Sequence, residues 1–381
     1  MSIVIHSALS EVSQAQWNAL VADDYPFIKH EFLSALESSG CVCSDAGWNP
    51  CHVVSYRDDD NSIEWAMPCY EKDHSYGEYI FDWAWADAYR RYGRPYYPKL
   101  STAIPFTPAT GQRVLMQPKT ALSEIAEPVV ESIASLLDTR NASSWHGLFL
   151  SEQEVNALAA KEELLIRHSN QYHWHNQEFD SFDDFLASLT SKKRKNIKRE
   201  RRRVTEMGIR YEWVTGDALT PEIMRVMHGL YRRTIGLYGA YAYLNSTFFT
   251  TLAEQFNQNT LVLLARFDDQ VIAGGLYFRG KNTLFGRYWG ALDQFDSLHF
   301  ETCYYQAIEW CINHQMARFE AGAQGEHKIA RGLVPTTTHS AHFIKDPEFK
   351  TAIANFVTQE QDQMARFQNA VKAHSPYRSD A

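Results

Sequence analysis

The chain has 381 residues, with 37 Lys and Arg against 46 Asp and Glu, a formal net charge of −9 and 13% aromatic residues. One hydrophobic core rarely serves such a length, so about two domains are expected. Net negative charge excludes a protein that coats nucleic acid along its whole surface, yet it leaves room for a local basic patch.

The opening MSIVIHSALS lacks the basic start and apolar run of a secretory signal, and no later run is long enough to span a bilayer. Mean hydropathy is negative, and the expectation is a soluble, cytoplasmic protein. Its thinly spread cysteines, Cys41, Cys43, Cys51, Cys69, Cys303 and Cys311, suit reduced thiols. The C-x-C of Cys41 and Cys43, followed by Cys51 and His52, lacks the paired spacing of a structural zinc site.

Periodicity predicts a strand at Ile3–Ile5 and helices at Ser13–Leu20 and His30–Ser38, the latter ended by Gly40. Strands follow at His52–Tyr56, Ile63–Tyr70 and the aromatic Tyr79–Trp85, and a helix begins near Tyr97. The proline-punctuated Ile104–Gly111 reads as a loop, Leu122–Leu137 as an amphipathic helix and Ser144–Leu150 as a strand. These elements close a first domain, residues 1–160, and the order begins again over 161–381.

In the second half a strand from Leu164 precedes helices at Phe182–Leu189 and Lys192–Met207, a strand at Ile209–Val214 and helices between Glu222 and Phe256. Leu261–Phe267, Val271–Arg279 and Thr283–Trp289 read as a meander with turns at Asp268–Gln270 and Gly280–Asn282. A helix at His299–Asn313 then leads to a strand at Met316–Phe319. The aromatic run Gly77–Tyr89 before Tyr96 and Tyr97 parallels Gly286–Phe295 before Tyr304 and Tyr305, which suggests a duplication.

RFEAGAQGEHKIARG, Arg318 to Gly332, places unlike charges in a glycine-rich turn after a predicted strand. Gly322 and Gly325 permit a sharp turn that brings backbone N–H groups close to a guest. Glu326 beside His327 can move a proton, and Lys328 and Arg331, three apart, can share an anion. Earlier, KKRKNIKRERRR, Lys192 to Arg203, forms a helix whose thin stripe of Ile197, Val204 and Met207 can dock it on the protein. Lys195, Lys198, Arg199 and Arg202 then form a positive face suited to phosphates.

Longer stretches carry a family resemblance: KDHSYGEYIFDWAWADAY from Lys72, YYPKLSTAIPFTPATG from Tyr96, QYHWHN from Gln171, FDDFLASLTSKKRKNIKRERRR from Phe182, GRYWG from Gly286, LHFETCYYQAIEW from Leu298 and EAGAQGEHKIARG from Glu320. Together they resemble the FemAB-like branch of the GNAT superfamily, N-acyltransferases of peptidoglycan biosynthesis and recognition. The resemblance implies an α+β protein of two tandem GNAT-like (FemAB-type) domains, each a mixed, mostly antiparallel sheet flanked by helices. It also implies transfer of an acyl or aminoacyl group to a small-molecule or cell-wall-type amine acceptor.

FemAB-type relatives draw the group from aminoacyl-tRNA, ordinary GNAT enzymes from acyl-coenzyme A held through Q/R-x-x-G-x-G/A. The corresponding GALDQFDSLHFE, Gly290 to Glu301, departs from that pattern. No cofactor is expected to be tightly bound, and the donor stays open among acyl-coenzyme A, acyl-carrier protein and aminoacyl-tRNA.

Acyl transfer to an amine needs the ammonium deprotonated and the oxyanion stabilised. Glu326 or His327 is the expected base, with Glu301 and Glu320 as orienting partners. Lys328, Arg331 and Gln324 would bind substrate, with Tyr288, Trp289, His299 and Tyr304 as pocket walls. Tyr288 and Trp289, successive on a strand, face opposite sides, so at most one reaches a given pocket. His74, Tyr76, Glu78, Asp82 and Trp83 form a comparable cluster in the first half, expected to face the same cleft.

Two other classes compete: a non-catalytic protein binding RNA or a cell-wall precursor through the basic helix, and a metal-dependent hydrolase prompted by His173 with His175 and His339 with His342. Nothing in the histidine spacing supplies a fixed third ligand, and no metal is expected.

Overall fold

The computed structural model describes residues 2–322, 325–372 and 375–378. Its first elements are β1 (Ser2–His6), α1 (Gln14–Asn18), α2 (His30–Ser38), β2 (Trp48–Pro50), β3 (His52–Tyr56), β4 (Ile63–Met67) and β5 (Tyr70–Lys72). Then come α3 (Trp83–Arg91), β6 (Lys99–Thr102), β7 (Leu115–Met116), α4 (Leu122–Thr139), β8 (Ser144–Leu150), α5 (Glu152–Leu158) and β9 (Leu164–His175). The later chain forms α6 (Phe182–Ser188), α7 (Ser191–Glu206), β10 (Arg210–Thr215), α8 (Pro221–Leu237), α9 (Ser246–Gln255), β11 (Thr260–Phe267), β12 (Gln270–Arg279) and β13 (Thr283–Ala291). It closes with α10 (Leu298–Phe300), a π-helical turn Glu301–Tyr305, α11 (Gln306–Asn313), β14 (Arg318–Glu320), a 3-10 helix Glu326–Arg331, β15 (Val334–Ile344) and α12 (Pro347–Lys372).

The chain divides into two compact units, Met1–Asn170 with Thr337–Phe367, and Gln171–Thr336 with Gln368–Ala381. This differs from a single cut after residue 160, because β15 returns to pair with β8, His342 opposite His146, and takes the following helix with it.

In the first unit β1, β3, β4 and β7 form one antiparallel sheet, and β2, β5, β6, β8 and β15 follow one another in a second, where β6 and β8 run parallel. The apolar stripe of α4, Ile125, Val129, Ile133 and Leu136 at helical spacing, packs into a core with Trp65, Leu100 and Trp145. Three expectations fail here. Tyr79–Trp85 is not a strand: α3 begins at Trp83, and Trp85 and Tyr89, four apart, bury one helical face with Phe349, Ile353 and Val357. No helix starts near Tyr97; the fully buried β6 lies there instead. Ile63–Tyr70 breaks into two strands around Pro68, which has no N–H for a ladder.

In the second unit the strand order is β10-β11-β12-β13-β14-β9, with the meander where the sequence places it and β13 and β14 parallel. The two aromatic runs that suggested a repeat adopt unlike structures: helix then strand around Tyr89 and Leu100, strand then helix around Tyr288 and Tyr304. Both units are mixed, mostly antiparallel sheets flanked by helices, as the α+β class requires.

Candidate functional site

The site in the second unit grows from a splay between two strands. β13 pairs with β14 only from Thr283↔Arg318 to Phe285↔Glu320, while β13 itself runs on to Ala291. One extra residue, Arg287, enters β13 against β12, since Leu276 faces Tyr288 and Tyr277 faces Gly286. Such a bulge bends a strand and re-aims its side chains. Beyond it Tyr288 meets Tyr231 of α8, ring centroids 4.9 Å apart, and Trp289 meets His299, 4.7 Å apart. The two successive side chains thus face opposite ways, as their strand period demands.

From Glu320 the chain leaves the sheet and returns as the 3-10 helix Glu326–Arg331. Gly325 and Gly332 flank that helix with φ of 108° and 89°, a region that L side chains resist. A Cβ on Gly325 would stand 2.6 Å from His327 Cε1, so glycine lets the imidazole fold back over its own turn. His327 Nε2 lies 2.9 Å from the Tyr304 hydroxyl. His299 is edge-on to Tyr304 at 5.5 Å and 6.2 Å from the ring of His327. Tyr304 belongs to the π-helical turn, a distortion that recurs at functional sites because it re-aims side chains from a helix.

Burial, reinforced by Arg331 and Lys328, holds the His327 imidazole below its ordinary pKa. His299, more buried, is pushed down to about 4, with His327 and the same two cations adding to the effect. Both rings are therefore neutral near pH 7, and the exposed one, His327, can accept a proton. Burial also raises the Tyr304 phenol, which keeps its proton.

Lys328 and Arg331 are directed at the protein. Lys328 is buried and donates to the carbonyls of Ala321 and Gly322, each at 2.9 Å, and burial lowers its ammonium to about 8. Arg331 donates to the His327 carbonyl at 2.9 Å and to both oxygens of Glu200 at 3.1 Å, with its guanidinium 3.3 Å over the Phe300 ring. The two cations pin the loop at both ends. Glu301 is buried and raised by that burial, partly offset by Arg201, which donates to it at 3.1 Å. Glu320 is buried at the end of β14, 2.9 Å from Arg318 and 3.8 Å from His173. Glu326 is exposed on the 3-10 helix, and Gln324 lies outside the described residues.

The basic helix α7 docks through Ile197 and Val204, both buried, with Met207 packed against the cluster that holds Val204. Lys195, Lys198, Arg199 and Arg202 are exposed; Lys198 and Arg202 pair with Asp183 and Glu206 at 3.2 and 3.4 Å, and Arg199 donates to Asn196. What sequence reasoning missed is the polar inner face. Glu200 holds Arg331 and accepts from Tyr305, while Arg201 bridges Glu301 and Glu309 and stacks on Phe182 at 4.3 Å. The signal was present: Glu200 is the lone acid of the basic run and sits between Ile197 and Val204 on the docked face.

In the first unit, Glu78 and Asp82 are buried against Lys99, which donates to Glu78 at 2.7 Å, to Ser75 at 2.9 Å and to Asp82. They form an internal ion cluster. His74, Tyr76 and Trp83 lie outward of it, the last two exposed with ring centroids 5.1 Å apart, and Lys72 donates to His74 Nδ1 at 3.3 Å. Of the histidine pairs, His339 faces His168 and His342 faces His146, while His173 stays 6.3 Å from the His175 ring and contacts Gln171. Among the described residues no group of three His, Cys, Asp or Glu is placed to hold a metal.

Comparison with known proteins gives the lineage. The family model FemAB-like, described by peptidoglycan biosynthesis/recognition, matches residues 8–379. FemX is similar at TM-score 0.54 and 9% identity over 93% of this chain and 100% of its own. A conserved protein of unknown function from Bacteroides thetaiotaomicron reaches 0.52 at 11% identity over 90% and 100%, and L-PGS from Bacillus licheniformis 0.51 at 9% over 84% and 93%. These likenesses are of fold, and they agree with the expected FemAB-type architecture. No curated protein matches the chain.

Proposed function

We propose, because this chain belongs to the FemAB-like family of peptidoglycan biosynthesis/recognition proteins, that it is an N-acyltransferase moving an acyl or aminoacyl group onto an amine. The observation that carries the reading is the pair His327 and Tyr304, 2.9 Å apart and in one ring cluster with His299, which meets Trp289 of β13. A neutral, exposed imidazole takes the proton of the incoming ammonium, directly or through the Tyr304 hydroxyl. The freed nitrogen attacks the donor carbonyl, the C–N bond forms, the bond to the donor breaks, and the proton passes to the leaving group. No covalent enzyme intermediate is needed.

Lys328, held to two carbonyls, keeps the loop in place and adds positive charge beside the developing oxyanion. The exposed cations of α7 would hold a phosphate-rich donor, which favours aminoacyl-tRNA over acyl-coenzyme A and acyl-carrier protein. The acceptor would be a cell-wall-type amine and the protein cytoplasmic.

The test is to incubate the protein with separate pools of acyl-coenzyme A, acyl-carrier protein and charged tRNA and to follow which donor loses its group. Loss from one pool, abolished by His327→Ala, is expected. Turnover that His327→Ala and Tyr304→Phe leave unchanged would remove the catalytic assignment.

A further inference from the structure

α8 and α9 form a helical pair with a firm base and an uncovered tip. At the base Met227, Leu230 and Tyr231 are buried with Phe248, Phe249 and Leu252, and the Tyr231 and Phe249 rings lie 5.6 Å apart. At the tip Leu237, Tyr238 and Tyr241 are 71, 80 and 79% exposed. The turn is built: Gly239 takes a φ of 62°, its N–H donates to Gly236 and that of Ala240 to Ile235, which closes the end of α8. Single exposed apolar residues are ordinary. Three within five residues, on a turn held clear of the protein by two packed helices, are a concentrated apolar point.

The charge around this point has one sign. No Asp or Glu stands between Glu222 and Glu254, although the chain carries a net charge of −9. Arg225 pairs with Glu222 at 3.0 Å, while Arg232 and Arg233 are exposed and make no side-chain hydrogen bond or ion pair among the described residues. Arg233 stands one helical turn before Leu237, on the same face.

We propose that this tip docks the protein on an anionic lipid bilayer, with Leu237, Tyr238 and Tyr241 entering the headgroup region and Arg232 and Arg233 on lipid phosphates. Tyrosine and leucine partition into that boundary, and arginines just behind them gain from a negative membrane surface. A protein partner fits less well. Three side chains supply a few hundred Å² at about 150 Å² each, against about 800 Å² per side in a stable complex. The contact is peripheral, for among the described residues no helix is long and apolar enough to cross a membrane. The inference does not depend on the transferase reading.

The experiment is co-sedimentation of the full chain with vesicles of phosphatidylcholine alone or containing phosphatidylglycerol. Wild type is expected to pellet with the anionic vesicles, less so in high salt. The variant Leu237→Ser/Tyr238→Ser/Tyr241→Ser should lose about tenfold or more in partitioning, and Arg232→Gln/Arg233→Gln several-fold on anionic vesicles only. All should keep the wild-type unfolding midpoint, since these side chains are exposed. Reversing the α7 charges at Lys195, Lys198, Arg199 and Arg202 should leave sedimentation in place. Three results would overturn the proposal: wild type staying in solution with every vesicle, the triple-serine variant pelleting like wild type, or loss of binding only in the α7 variant. Self-association that the triple-serine variant abolishes, without vesicle binding, would assign the tip to a second copy of the chain.

Discussion

Arg331 reaches both carboxylate oxygens of Glu200 at 3.1 Å and lies over the Phe300 ring at 3.3 Å. That contact ties the 3-10 helix bearing His327 to the docked face of α7. Arg331 is nearly buried and Glu200 largely so, which leaves the guanidinium unpaired if the carboxylate is removed. Glu200→Ala should cost about 2 kcal/mol in urea unfolding, below the range for a fully buried pair because some water reaches it. Arg331→Met in the same chain should recover part of that loss. Additive costs in the double-mutant cycle would show the two residues uncoupled.

His327 is neutral near pH 7 because burial and two cations depress its pKa. If it is the base, the rate should be flat above about pH 6.5, the ordinary imidazole value, and fall below it as the ring takes a proton. His327→Gln should lower kcat by about 100-fold or more with a smaller effect on KM. Tyr304→Phe should move the acid limb, since the phenol contacts Nε2. A profile identical in wild type and His327→Gln would exclude the residue as base.

Gly325→Ala isolates the loop geometry from the chemistry. Its Cβ would stand 2.6 Å from His327 Cε1 at a backbone φ of 108°. The imidazole must swing away, so activity should fall at least tenfold, with a stability cost of about 1–2 kcal/mol from the left-handed backbone. A variant with full activity would mean that the ring position is irrelevant.

Periodicity made much of the second unit legible: the α7 stripe of Ile197 and Val204, the β11–β13 meander and the helix after it follow the sequence pattern. His299, Tyr304 and His327, singled out by type and motif, come together in one ring cluster. The first unit hid more. Aromatic β-propensity outweighed the helical spacing of Trp85 and Tyr89, although that spacing decides α3. Lysines are ordinarily exposed, and no local pattern marks Lys72 and Lys99 as the buried residues they are, with Lys99 held by Glu78 from another part of the chain. The spacing of Glu200 between Ile197 and Val204 marks its inward face, but its partner Arg331 lies far along the chain, and no local pattern names that pairing.

The exposed cations of α7 hold little of the fold together, so removing them should change binding and spare stability. Reversing Lys195, Lys198, Arg199 and Arg202 should shift the unfolding free energy by less than about 0.5 kcal/mol. The log–log salt slope for a bound tRNA should fall by roughly 0.7–0.9 for each phosphate that the protein no longer neutralises. Filter binding across a salt series reads both slope and affinity. An unchanged slope would mean that α7 meets no phosphates.

Lys72 is buried, its Nζ 3.6 Å over the Trp48 ring, and burial lowers its pKa to about 7 despite the opposing charge of Glu78. An unfolded lysine titrates near 10.4. Below about pH 7 both states hold the proton and the folded state bears the full cost of a buried ammonium. Between about pH 7 and 10.4 the unfolded chain binds more protons than the folded one, so stability rises with pH across that window. Lys72→Met removes this cost. It should stabilise the protein by on the order of 2 kcal/mol near pH 6, and the gain should shrink toward pH 9.5. Lys99, held above its ordinary value by Asp82 and Glu78 against its burial, also repels the Lys72 ammonium, so removing that charge relieves both lysines in the same direction. Urea midpoints at the two pH values measure the effect. A Lys72→Met shift that is the same at both would place the Lys72 ammonium in water.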